Sequence, residues 1–199
     1  LNMPAALMLA DRPPGPNPRI FIRGSAAKPG DEVSRRLPEI LARSDRQPFQ
    51  QGSGRLELAQ AIASPANPLT ARVMVNRLWQ HHFGTGLVRT SSDFGLRAEK
   101  PSHPELLDWL ARKFITEGWS LKAMHRLILS SAVYQQSAWN DETPGLRESD
   151  PDNRLLARFP VRRLEFESLR DAMLSASGEL DRTAGGASAD VLDAGNRKR

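Results

Sequence analysis

The 199-residue chain is 39% hydrophobic with a mean hydropathy of −0.48, enough for one domain of ordinary size with a modest core. No run approaches about 18 consecutive apolar residues, which excludes a spanning helix. The absence of cysteine excludes disulfides, thiolate metal sites, Cys nucleophiles and covalent haem attachment. A net charge of +5 and a pI near 10.2 raise the question of nucleic acid. The charge comes from 23 Arg against 5 Lys, scattered and often beside Asp or Glu, as in "RRLEFESLRD". That pattern fits salt-bridged surface arginines better than a phosphate-binding stripe, and a basic nucleic-acid module ranks third among the readings of function.

Residues 1–53 are rich in Pro and Gly and read as an extended arm packed on a helical body. The start, "LNMPAALMLADRPP", lacks a basic n-region and is not read as a signal peptide, and a chain beginning at Leu reads as a fragment of a longer one. "RIFIRG" alternates like one short strand, with Ile20 and Ile22 on one face and Phe21 on the other. "EVSRRLPEILAR" has room for one or two helical turns. The helical domain runs over 54–180. In "RLELAQAIAS", Leu56, Ala59, Ile62 and Ala63 recur at helical spacing up to Pro65. Asn67 before Pro68 predicts a helix start, and Gly84 a stop after Phe83.

Ser102 with Glu105 forms a capping-box pattern opening a helix to about Glu117. Its apolar stripe is Leu106, Leu107, Leu110 and Phe114, joined by Trp109. Ser120 caps "LKAMHRLILSSAVYQQ", apolar around most of its circumference and expected to be central. A polar loop with Pro144, Gly145 and Pro151 follows. The last helix, "RRLEFESLRDAMLSAS", carries a stripe of Leu169, Ala172, Met173 and Ala176. Residues 181–199 read as a disordered tail. The fold expected is mainly α: an irregular domain of four to five helices with an extended N-terminal arm holding at most a short strand.

The polar cluster in "NPLTARVMVNRLWQHHFGTGLV" is the strongest candidate site. Asn76 lies where both helix faces carry apolar residues, so its amide is expected to be buried and to need partners. One reading makes Asn76 and Arg77 ligand contacts; the other, preferred here, makes them clamps on loop carbonyls. His81 and His82 occupy the last turn, favourable for a cation, but they point about 100° apart and are poorly placed to share a metal. A metal site would have to recruit Asp93, His103 or His125, and none is expected.

An enzyme would use His81 or His82 as acid–base groups, Arg77 as an anion contact and Asp93 as an orienting carboxylate, with His103 of "SHPE" as a further candidate. Trp79, Trp119 and Tyr134 join Asn76 as candidate binding residues; Trp109, Trp119 and Trp139 lie near helix ends, where a Trp with Tyr134 could stack on a sugar ring. The same rings more commonly fasten helix ends to a core. His125, among Leu121, Met124 and Ile128, reads as a hydrogen-bonded core histidine. Glu165, Glu167 and Asp171 read as ion-paired along one helix, Arg163 with Glu167 and Glu167 with Arg170. "QGSG" lacks the spacing of a nucleophile elbow.

Three segments carry a family resemblance: "NPLTARVMVNRLWQHHFGTGLVRTSSDFG", "PSHPELLDWLARKFITEGWSLKAMHRLILSSAVYQQS" and "RRLEFESLRDAMLSASGELD". Together with "RIFIRGSAAKPGDEV" and "RLELAQAIASPANP", they resemble the planctomycete-specific C-terminal domain of unknown function found in cytochrome-c-like proteins. The resemblance covers about residues 6–186. It is lost near Gly186, where members continue with an Arg- and Tyr-rich helical stretch and "ASADVLDAGNRKR" reads as a truncated end. The resemblance implies a parent protein that is exported and extracytoplasmic, with a c-type cytochrome domain and other domains as partners. With no Cys-x-x-Cys-His here, any haem would sit on another segment, and no cofactor is expected in this chain. The leading expectation is a non-catalytic accessory or interaction module. The alternative is an enzyme domain with a pocket near residues 76–103.

Overall fold

The computed structural model describes residues 8–11, 15–42, 46–139 and 145–183. The chain is mainly helical, and five helices of nine residues or more occur among the described residues. It divides at Phe159/Pro160 into two compact units.

The first unit opens with β1 (Arg19–Phe21), which continues into a 3-10 turn over Ile22–Gly24 and pairs antiparallel with β2 (Pro29–Glu32). The second strand is an addition to the single strand expected, because "PGDE" shows no apolar alternation. Ile20, Phe21 and Ile22 are all about half exposed. After α1 (Glu39–Ala42) the arm is tied to α2 (Arg55–Ala63) by polar bonds. The Glu57 carboxylate accepts from the backbone N–H groups of Gln50 and Gln51 at 3.0 and 2.8 Å, and Asp11 accepts from Ser53 N at 2.9 Å. No residue of α2 is buried. Its expected apolar stripe, Leu56 and Ile62 included, is about half exposed.

The core of this unit forms where α3 (Thr70–Phe83) packs on α4 (Pro104–Thr116), with α5 (Leu121–Leu129) across them. It gathers Val75, Leu78, Trp79 and Phe83 from α3, Leu107, Leu110 and Phe114 from α4, and Met124 and Ile128 from α5. Asn67 Oδ1 accepts from Leu69 N at 2.9 Å and Thr70 N at 3.3 Å, so it organises the turn leading into α3, which starts three residues later than Asn67. Gly84, at φ +85°, ends the helix where L side chains are strained. Trp109 is 46% exposed. It lies about 200° around α4 from Leu107 and about 100° from Leu110, so of that stripe only the half-buried Leu106 is on its side.

Two helix ends differ from expectation. Pro104 is the first residue of α4, so the capping position falls on His103 and the expected capping box does not form. Ser102 instead donates to Leu87 O from both its N–H (2.8 Å) and its hydroxyl (3.4 Å). The long helix expected after Ser120 breaks into α5 and α6 (Ala132–Gln135). Ser131 causes the break: its hydroxyl donates to Ile128 O at 2.6 Å and accepts from Tyr134 N at 3.3 Å, closing one helix and capping the next. Leu121 and Leu129 of α5 remain about 45% and 42% exposed, so α5 covers the core with one face only.

A one-turn helix, α7 (Leu146–Ser149), precedes a tightly bonded turn over 150–159. In the second unit α8 (Phe166–Ser177) ends at Gly178, φ +76°. It starts later than the sequence pattern predicts, leaving Arg163 outside the helix. The expected Arg163–Glu167 and Glu167–Arg170 pairs are absent, and Arg170 lies 3.5 Å from Asp171 instead. No residue of α8 is buried. The tail expected to be disordered lies, beyond Thr183, outside the described residues.

Candidate functional site

The C-terminal half of α3 carries most of the sequence candidates, and helical geometry sends them in different directions. Asn76 is fully buried. Its Nδ2 donates to Val88 O at 3.0 Å and its Oδ1 accepts from Val88 N at 2.8 Å, so one side chain satisfies both backbone groups of a loop residue. The loop approaches this closely because Gly86 has no side chain: a Cβ there would lie 2.7 Å from both amide atoms of Asn76. Trp79, one turn on, is buried and stacks on Phe83 with ring centroids 4.3 Å apart. Arg77 and His81 face solvent.

His82 leaves the helix on another side. Its Nε2 shares a 2.8 Å hydrogen bond with Nδ1 of His125 on α5. Tyr134 meets His82 edge-on at 5.6 Å, and Phe83 and Phe159 complete the cluster around the tyrosine ring. The pair thus joins α3 to α5, with α6 and the end of the 150–159 turn packed beside it.

Asp93 is exposed and accepts from Gly95 N at 2.8 Å, while His103 Nδ1 lies 3.0 Å from Ser102 Oγ. Of the enzyme candidates, then, His82, Asp93 and His103 each have a separate local partner. Among the described residues no three His, Asp or Glu gather closely enough to hold a metal. Trp119 follows Gly118 in the left-handed region at φ +61° and packs its ring on Phe114 at 5.2 Å. The left-handed backbone costs roughly 1–2 kcal/mol for a non-glycine residue, a cost the buried ring contact offsets.

Two polar arrangements fall outside the sequence candidates. The first is in "DPDNRLLARFP". Asp150 is buried at 8% exposure and accepts from Arg154 N and Leu155 N, both at 2.8 Å. Asn153, at φ +51°, donates to Arg158 O at 2.8 Å. The Leu155 N–H bond, aided by that of Arg154 and the nearby Arg158 and Arg154 charges, holds the Asp150 carboxyl below its ordinary value despite burial. The Asp-x-x-Asn spacing is the signal that could have marked this turn.

The second is a cleft of about 550 Å³ between the arm, the 64–68 turn and the α3–α4 pair. Arg72 spans its wall, donating from Nε to Asp108 Oδ1 at 2.6 Å and from Nη1 to Pro68 O. The Arg72 hydrogen bond, with the charges of Arg72 and Arg112, holds Asp108 below the usual carboxylate value. None of the sequence candidates lines this cleft.

No curated protein and no solved structure matches the chain. A family model does match over residues 54–198, running past Gly186, where the resemblance read from the residues is lost. Covering nearly three quarters of the sequence, from the first residue of the "GRLELAQ" segment through all the core helices, the match places this chain in PSD1, a family described as "Protein of unknown function (DUF1553)".

Proposed function

We propose that the chain is a non-catalytic accessory or interaction module of a larger exported, extracytoplasmic protein, docking other domains of that protein, a c-type cytochrome domain among them. The observation that carries this reading is the apolar face of α8. Phe166, Leu169 and Met173 are 59%, 48% and 65% exposed, and at spacings of three and four they fall within about 60° of one another around the helix. Val161 and Leu164, just upstream, are exposed as well. A contiguous apolar stripe of this kind is characteristic of a surface that another protein covers. The local hydrogen bonds of His82, Asp93 and His103 support the non-catalytic part of the reading. The parent protein and its haem-bearing domain come from the family resemblance. Any covalently attached haem belongs to that domain, since this chain has no cysteine.

The test is a calorimetric titration of the chain with the separately produced cytochrome domain of its parent protein. The wild type is expected to bind saturably. The Leu169→Glu/Met173→Glu variant, altered only at exposed positions, is expected to bind at least about tenfold more weakly. Absence of wild-type binding overturns the reading.

A further inference from the structure

The cleft on the α3–α4 pair has the makings of a ligand site that is independent of the docking face on α8. Its volume of about 550 Å³ falls within the range of small-molecule sites, about 300–1,000 Å³. Ala61, Ala66, Ala71 and Ala111 contribute small side chains to its walls, while Leu37, Leu41 and Ile115 supply larger apolar surface. Its charged groups, Arg72, Asp108 and Arg112, all come from the α3–α4 wall.

On that side Arg72 is fixed from two directions, by Asp108 and by the Pro68 carbonyl. Two of its nitrogens are thereby engaged, and Nη2 makes no hydrogen bond among the described residues. Arg112, one turn beyond Asp108 on α4, is exposed and has neither a hydrogen bond nor an ion pair among the described residues. The lining of the cleft therefore carries two guanidinium groups and one carboxylate, a net charge of +1, beside apolar side chains. A monoanion neutralises this set, whereas a dianion would leave negative charge next to Asp108. A planar carboxylate also matches the fork of a guanidinium.

We propose that this cleft binds a small amphipathic organic carboxylate, its apolar body against Leu37, Leu41 and Ile115 and its head taken by Arg112 with Nη2 of Arg72. Asp108 serves as a positioning residue, holding the Arg72 guanidinium in place. Arg112 is the main energetic contact, because its donors make no hydrogen bond among the described residues.

Calorimetric titration of the full chain with octanoate, octanol and octyltrimethylammonium, all below their micelle concentrations, tests this. Octanoate is expected to bind saturably, and the cation at least about tenfold more weakly. Arg112→Gln is expected to weaken octanoate about tenfold and leave octanol unchanged. Ala66→Trp, which narrows the cleft from an exposed position, is expected to weaken both. Thermal melts of the two variants should match the wild type, since neither side chain is buried. The proposal is overturned if octanoate does not saturate, if the cation binds as well as octanoate, or if Arg112→Gln binds octanoate like the wild type.

Discussion

Asn76 pairs with Val88 as a neighbouring strand would, giving and receiving one hydrogen bond each at 3.0 and 2.8 Å, and it does so over the bare Cα of Gly86. Asn76→Ala strands a buried N–H and a buried carbonyl and is expected to destabilise the chain by about 3 kcal/mol. Gly86→Ala drives a methyl into the same amide and should cost about 2 kcal/mol. The double variant should lose clearly less than the sum, because each change removes what the other depends on. Urea unfolding of the four proteins checks this, and strict additivity would show that the two residues act separately.

The His82–His125 bond links the last turn of α3 to the middle of α5, two elements whose sequence separation gives them no local reason to meet. Replacing either ring with Ala should destabilise the chain, and a double-mutant cycle should show a coupling of about 1 kcal/mol. A coupling indistinguishable from zero would mean that the aromatic packing of Tyr134 and Phe159 holds this corner without the bond.

Acid should weaken the first unit through carboxylates whose native partners favour the charged form, Asp108 and Asp150 among them. Asp108, chiefly through its hydrogen bond from Arg72, and Asp150, chiefly through the Leu155 N–H, both have native pKa values below the ordinary 3.8. Their unfolded forms therefore bind protons first as the pH falls. The stability they contribute is complete well above pH 3.8 and is lost as the pH drops through 3.8 towards the native values. Asp108→Asn and Asp150→Asn should each flatten the fall in unfolding free energy between pH 6 and 2. Parallel curves for wild type and variants would contradict this assignment.

Much of the fold was legible in the sequence because its punctuation is strong. Gly84 and Gly178 stop helices at left-handed positions, and Ser120 caps α5, accepting from Ala123 N at 3.2 Å. The failures have physical causes. The run from Leu121 to Gln136 looked like one apolar helix because a serine pair is compatible with helix, and only the hydroxyl bonds of Ser131 show that it divides the run. The stripes of α2 and α8 have the correct spacing but lie exposed, since periodicity identifies a face without saying what covers it. For the site, the burial of Asn76 and its need for a backbone partner followed from apolar residues on both faces of α3, whereas the choice of Val88 as that partner followed from nothing local. The Arg72–Asp108 pair and the His82–His125 bond join residues 36 and 43 positions apart, and no spacing rule reaches that far. Asp150 was hidden because a polar loop usually has no interior, and this one folds around its own carboxylate.

Phe159 marks where the chain leaves the first unit, and it is gripped there twice. Its N–H donates to Ser137 O at 3.0 Å, and its ring abuts Tyr134 at 5.2 Å and Phe83 at 6.1 Å. In mechanical terms this is an anchor bolt. Tension that reaches Phe159 along the chain meets an aromatic knot at the end of α3, where the load spreads over α3, α6 and the Ser137 backbone.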